Sequence, residues 1–348
     1  ARVKKSTMDQ KTTLKIGLSG VRGIVGESFT PQLVTSFASA FGTFCGPRRV
    51  VIGTDTRPSR EMVTNAAIAG LLSVGCTPIK LGITPVPSLQ HHIRKLGAGG
   101  GICVMASDHP LEWSALKFFN SDGTGLRSNQ FVQLTDLYHQ GVYPRVPWHG
   151  ISDIVEDDSA TDSHLDTVLS TVDVGKIRSR RFKVAIDCCN DSTFRTGPEF
   201  LKKLGCEVYE LNTDADKPFP RDPEPTPSSL GALCATVRDT GADLGFALDA
   251  DGDRLGLVDE QGFALDEDCT LALVLQHRLG VTPSSVAVSV STSSMVEEIA
   301  QSFGCSVFRT KVGEVYVLES MLGTRSRLGS GGNGGVIDLA VNPCHDGF

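Results

Sequence analysis

The 348-residue sequence predicts an α/β protein made of three tandem related α/β domains with mixed, mainly parallel sheets. Three observations carry that reading. The segments LLSVGCTPIKL at 71–81, LKKLGCEVYEL at 201–211 and IAQSFGCSVFRT at 299–310 resemble one another. In each, an amphipathic run ends at Gly75, Gly205 or Gly304, then comes a cysteine, then an apolar or alternating run. A glycine just past a helix takes the left-handed conformation that stops it, and a strand follows. Each unit is also preceded by a continuous β-branched stretch, RVVIGTD at 49–55, FKVAIDC at 182–188 and SVAVSVS at 285–291. Such runs suit strands buried on both faces. Strand–helix–strand three times over implies parallel pairing through helical crossovers.

The polar stretch WHGISDIVEDDSATDS at 148–163 marks a first boundary, and the hairpin-like turn Asp259-Glu260-Gln261-Gly262 marks a second. The expected domains are therefore 1–155, 156–262 and 263–348. The chain is long enough for each to have its own core.

Composition narrows the function. A net charge of −7, with no block of Lys and Arg to offset it, argues against nucleic-acid binding. No apolar run is long enough to span a membrane. The basic, polar N-terminus ARVKKSTMDQKTTLK lacks an apolar segment and reads as a frayed tail, not a secretory signal. None of the ten cysteines forms a C-x-x-C pair, and most lie in apolar stretches, so a reducing, cytoplasmic setting is expected.

Four motifs along the chain bear chemistry. In KIGLSGVRGIVGE at 15–27, Arg22 is presented on glycine-rich backbone, which suits a pair of phosphate oxygens as well as it suits a surface turn. VMASDHP at 104–110 places Ser107, Asp108 and His109 side by side after an apolar run. A hydrolase triad must converge with the base between nucleophile and acid, so three adjacent side chains on a turn are not one.

The strongest signal is ADLGFALDADGDRLGLVDE at 242–260. Asp249, Asp251 and Asp253, spaced by two at a glycine-containing turn between apolar runs, can converge on one hard divalent cation. An EF-hand loop is excluded, because Arg254 stands where that loop needs glycine and the flanks read as strands. A phosphatase with a nucleophilic Asp, or a solvated acidic turn, would carry a similar pattern. Finally, GSGGNGGVI at 329–337 fits G-x-G-x-x-G only formally, since VIDLAV after it reads as strand and not helix. A loop whose bare backbone approaches a polar ligand, with Asn333 offering donor and acceptor, fits better.

Together these motifs resemble the α-D-phosphohexomutase superfamily, which includes phosphoglucosamine mutase and phosphomannomutase/phosphoglucomutase. IGTDTRPSRE at 52–61, LGITPVPS at 81–88, MASDHPLEWSALK, FPRDPEP at 219–225, DADGDR, RTKVGEVYV at 309–317 and SGGNGGVI are similar to family motifs, in the family's order. The resemblance covers three of the four domains of that family.

The resemblance implies an Mg²⁺-dependent enzyme that moves phosphate between O1 and O6 of an aldohexose phosphate. The sugar 1,6-bisphosphate is intermediate and activator, and glucosamine phosphate is the favoured substrate over glucose or mannose phosphate. By the same resemblance, Ser107 carries the phosphoryl group and completes the metal site of Asp249, Asp251 and Asp253. Lys117 stabilises charge or moves a proton, and Arg22 contacts the reacting phosphoryl group. Arg254 braces the metal loop, and Lys311, Gly332, Asn333 and Gly334 face the sugar phosphate. The implied partner is a small hexose phosphate, with the chain a monomer or homodimer. Four positions depart from the family pattern: Asp108 and His109 after the serine, Ser114 for an asparagine, and Gly331 for a sugar-binding glutamate. A non-catalytic sugar-phosphate binder is the other reading these departures leave.

Overall fold

Each of the three repeat glycines takes the left-handed backbone that its position after a helix demands, with φ of 82° at Gly75, 78° at Gly205 and 67° at Gly304. The computed structural model describes residues 13–348, so the first twelve residues of the N-terminal stretch lie outside the described part. Among the described residues there are three mixed sheets flanked by helices.

The strands of the first sheet are β1 (Lys15–Gly17), β2 (Gly20–Ile24), β3 (Arg49–Thr54), β4 (Thr77–Ile83), β5 (Gly100–Val104), β6 (Trp113–Asn120) and β7 (Val155–Glu156). Their order is β1-β2-β6-β5-β3-β4-β7. β3 pairs in parallel with β4 and β5, whereas β6 runs antiparallel to both β5 and β2. The boundary expected at 155/156 falls inside β7, which pairs in parallel with Ile79 and Lys80. The compact unit built on this sheet comprises the residues up to Thr84 and His92–Ala160.

Its core is formed by the Pro31–Cys45 and Arg60–Ser73 helices against the sheet. Thr30 caps the first helix through its hydroxyl, which accepts from the Leu33 amide, and Pro31 occupies the first turn where no amide is missed. Phe37 and Phe41, one turn apart on that helix, are fully buried, and the Phe41 and Phe118 rings lie 5.0 Å apart. Gly70 is the crossing point of the two helices: a Cβ there would stand 2.5 Å from the Thr35 carbonyl oxygen.

A second compact unit, Pro85–His91 with Thr161–Phe348, contains the other two sheets. One is formed by β8 (Lys183–Asp187), β9 (Glu207–Leu211), β10 (Leu244–Leu248) and β11 (Leu255–Val258), in the order β11-β10-β8-β9. The other is formed by β12 (Val286–Ser289), β13 (Val307–Thr310), β14 (Leu328–Gly332) and β15 (Gly335–Asp338), in the order β13-β12-β14-β15. In both, the repeat strands pair in parallel and a terminal hairpin is antiparallel.

Alternation between two buried faces explains why the middles of β8 and β12 are continuously apolar. Val184 and Ile186 join one cluster while Ala185 joins the cluster on the opposite face. Val286 and Val288 are separated from Ala287 in the same way. No helix among the described residues is long and apolar enough to cross a membrane. All ten cysteines are free thiols.

Candidate active site

The buried strand β5 delivers the chain into the serine loop, and β6 takes it away. Ser107 has φ of 56°, a left-handed value uncommon for a residue with a side chain, and something must hold it there. That something is Arg57, whose side chain is 1% exposed. Its guanidinium donates to the carbonyls of Ser107 (2.9 Å), His109 (2.7 Å) and Pro110 (2.6 Å), and its Nε to Asp55 Oδ2 (3.0 Å). Asp55 is itself fixed at the end of β3, where its amide donates to the Val104 carbonyl. A planar fork of donors is the one side chain that can gather so many carbonyls at once. Arg57 was visible in IGTDTRPSRE but has no role in the sequence reading. Its signal was an arginine three residues past the buried strand β3.

The serine itself is half-buried and Asp108 is exposed. His109 Nδ1 lies 3.1 Å from Asp108 Oδ1, so the acid beside the serine has a partner of its own. The His109 ring rests 5.1 Å from that of Trp113, over which Lys15 Nζ also lies. Arg22 and Lys117 come to one face of the sheet: Arg22 pairs with Ala115 on β6, and Lys117 is two residues further along that strand. Residues at that spacing, and antiparallel partners, point to the same side. Ser114 faces the other way and is buried.

The acidic loop closes the β10–β11 hairpin, with Leu248 opposite Leu255. Asp249, Asp251 and Asp253 each offer an oxygen, and these all lie within 4.8 Å of one another. Asp249 and Asp251 are almost fully buried. Asp249 Oδ1 accepts from the amides of Asp253 (3.0 Å) and Arg254 (3.1 Å). Burial, and then repulsion from Asp253 and Asp251, pushes the Asp249 carboxyl well above the usual carboxylate range. Asp253 Oδ1 is buried with no hydrogen-bond partner. Crowded oxygens, an unmet acceptor and a strained protonation state fit a hard divalent cation.

The loop's backbone is pinned from several sides. Ser192 Oγ donates to the Ala250 carbonyl, Val86 N to the Asp251 carbonyl, and Gly252 takes φ of 74°. Arg254 ion-pairs with Glu224 and lies beside Asp253. A second buried arginine repeats the Arg57 arrangement. Arg221, from FPRDPEP, lies 3.2 Å from Asp187 at the end of β8 and donates to the carbonyl of Leu248, the residue before the acidic loop. It too has no role in the sequence reading.

The glycine-rich motif is the β14–β15 hairpin. Asn333 (φ 60°) and Gly334 (φ 76°) form its two-residue turn, the geometry that an Asn-Gly pair favours. Asn333 is exposed at the tip. The hairpin is joined to the acidic loop, since Leu255 N donates to the Gly334 carbonyl at 3.2 Å. Lys311 is exposed just beyond β13, near the Tyr316 ring.

A Ser-His-Asp line does exist in the second unit. Ser88 Oγ lies 3.0 Å from His164 Nδ1, and His164 Nε2 lies 2.7 Å from Asp346 Oδ2. Ser88 and His164 have no exposed surface, so no substrate reaches them and the line is a structural tie.

The chain can now be set beside known proteins. Residues 13–143, 162–262 and 266–348 match, in order, the α/β/α domains I, II and III of phosphoglucomutase/phosphomannomutase. A protein of Thermococcus kodakarensis named phosphoglucomutase/phosphomannomutase is 36% identical over 92% of this chain and 72% of its own length. A phosphoglucosamine/phosphogalactosamine mutase of Sulfurisphaera tokodaii is 32% identical over 92% of this chain and 71% of its own. A solved phosphoglucomutase/phosphomannomutase family protein from Burkholderia thailandensis superposes with a TM-score of 0.83 at 24% identity. That match covers 96% of this chain and 75% of that one, and it supports the fold.

Proposed function

The chain belongs to the phosphoglucomutase/phosphomannomutase family, and from that premise we propose that it is a phosphoglucosamine mutase working through a phosphoserine at Ser107. The observation that carries the reading is the convergence of Asp249, Asp251 and Asp253 within 4.8 Å on a loop joined to the Asn333-Gly334 turn. The three carboxylates would hold a divalent cation of the Mg²⁺ class, which would neutralise charge on a transferring phosphoryl group.

Ser107 carries the phosphoryl group. In the forward step the Oγ–P bond breaks and a bond from phosphorus to the free sugar hydroxyl forms. The hydroxyl proton ends on Ser107 Oγ, with Lys117 as its carrier. The resulting 1,6-bisphosphate turns around, and Ser107 Oγ takes back the other phosphoryl group, so nothing is consumed. Arg22, on the face that also holds Lys117, meets phosphate oxygens with its planar fork. Lys311, Gly332, Asn333 and Gly334 face the sugar phosphate, and Arg254 keeps the acidic loop in shape. The left-handed backbone at half-buried Ser107 is held by the Arg57 bond to its carbonyl.

The amino sugar is favoured by the relative named for phosphoglucosamine and phosphogalactosamine. Glucose or mannose phosphate is the second reading, favoured by the relative named for those sugars. The test is ³¹P NMR of the protein, phosphorylated on Ser107, with Mg²⁺ and glucosamine 6-phosphate, glucose 6-phosphate or mannose 6-phosphate. Interconversion of the 6- and 1-phosphates, stimulated by the bisphosphate and abolished in Ser107→Ala, is the expected result. Binding of the sugars without exchange points to a non-catalytic relative. Net phosphate release that survives Ser107→Ala points to a phosphatase.

A further inference from the structure

The imidazole of His345 sits against the glycine-rich hairpin in a way that its turn geometry does not require. Gly331 N–H points at His345 Nε2 at 2.9 Å, while His345 Nδ1 lies 3.1 Å from Glu314 Oε2. The Glu314 carboxylate also accepts from the His345 amide. A Cβ at Gly331 would stand 2.8 Å from His345 Cε1, and one at Gly335 would stand 2.9 Å from Cγ. The ring thus fills the space that side chains at those two positions would need.

A backbone amide can only donate, so the nitrogen facing Gly331 must be the bare one, and the proton must sit on Nδ1 toward Glu314. The other side of Gly331 is held as well, because its carbonyl accepts from Ser289 Oγ at 2.9 Å. We propose that His345, oriented by Glu314, is a positioning residue for the substrate loop. Its neutral imidazole fixes Gly331, and protonation releases the loop and weakens sugar-phosphate binding. Glu314, on the Glu314–Thr324 helix, is the charged group facing the ring. The hairpin presents the backbone of Gly331 and Gly335 to the ring, and the neighbouring Asp346 is turned to His164.

The sign follows from the donor. With the ring neutral the Nε2 lone pair is available and Gly331 is held. A proton added to Nε2 opposes the Gly331 N–H, and the loop loses its anchor. The loss is worth about one backbone hydrogen bond, roughly fivefold in affinity.

This inference rests on the sugar-phosphate reading of the hairpin, and the experiment separates the two. Affinity for glucosamine 6-phosphate is measured from pH 5 to 8 for the wild type, His345→Ala and His345→Gln, whose amide oxygen accepts without titrating. Dividing wild-type by His345→Gln affinities removes the substrate's own titration. The ratio should fall about fivefold toward acid pH, and His345→Ala should bind weakly throughout. A flat ratio overturns the proposal. ¹⁵N NMR of the His345 ring in the sugar-free protein supplies the second arm. A proton on Nδ1 at neutral pH supports the proposal, and one on Nε2 overturns it. Failure of every variant to bind sugar phosphate counts against the proposed function, while the NMR result still decides the state of His345.

Discussion

Arg57 Nη2 donates to the carbonyl oxygen of Ser107 at 2.9 Å, so the backbone of the proposed phosphoryl carrier is held by a side chain fifty residues earlier. Lysine in its place keeps the charge but not the fork, and two or more carbonyls of the serine loop lose their donor. Arg57→Lys is expected to lower stability by about 3 kcal/mol, read from urea unfolding. It should also cut phosphoryl transfer more than sugar binding, because the Ser107 loop relaxes. Unchanged kcat in a folded Arg57→Lys protein would show that the left-handed serine holds its shape unaided.

The acidic loop yields a prediction that does not depend on catalysis. A cation that binds the folded chain alone stabilises it by mass action, about 2.7 kcal/mol at a hundredfold excess over Kd. Millimolar Mg²⁺ should raise the melting temperature of the wild type, and Asp251→Asn should abolish most of that rise. Arg221→Lys tests the supporting shell: losing the bond to the Leu248 carbonyl should weaken cation stabilisation while leaving the three carboxylates intact. An equal rise in all three proteins would place the cation elsewhere.

Burial makes a third prediction at Cys188 and Cys189, at the end of β8. Burial first, with Asp187 adding to it, pushes the Cys189 thiol up to about 12, and burial pushes Cys188 up as well. Thiolate is the reactive form, so at pH 8 the native protein should be alkylated at half-buried Cys234, Cys269 and Cys305 long before Cys188 or Cys189. Peptide mass spectrometry with iodoacetamide reads the order, and urea should erase it. Early labelling of Cys189 would mean that the β8 end opens readily.

Local signals explain what could be seen before the structure. Gly75, Gly205 and Gly304 announced helix ends because left-handed backbone is a property of one residue, and β8 and β12 announced themselves because strands buried on both faces are apolar at every position. The spacing of Asp249, Asp251 and Asp253 was legible for the same reason: a tight turn brings near neighbours together. Arg57 and Arg221 were not, because what each holds besides Asp55 or Asp187 is backbone carbonyl, which leaves no mark in a sequence. His345 was hidden too, since its meaning depends on the missing Cβ of Gly331, fourteen residues away. The Asn333-Gly334 pair shows the converse limit, for a turn preference and a ligand-binding role write the same two letters.

The buried Ser88–His164–Asp346 line gives the last prediction. His164 has no exposed surface, and each of its nitrogens is engaged, one by Ser88 and one by Asp346. Replacing it by alanine leaves the largely covered Asp346 Oδ2 without its imidazole partner and opens a cavity, each a mechanism in the upper range of single-site effects. His164→Ala is therefore expected to destabilise the chain by about 3–5 kcal/mol. Ser88→Ala removes only a hydroxyl whose partner keeps its stronger bond to Asp346, and should cost about 1 kcal/mol. If the line is a structural tie, Ser88→Ala retains full mutase activity at a temperature where it is folded, and no phosphonate or sulfonyl reagent labels Ser88. Loss of turnover in folded Ser88→Ala, or covalent labelling of that serine, would instead make it a nucleophile with access that the packed structure does not provide.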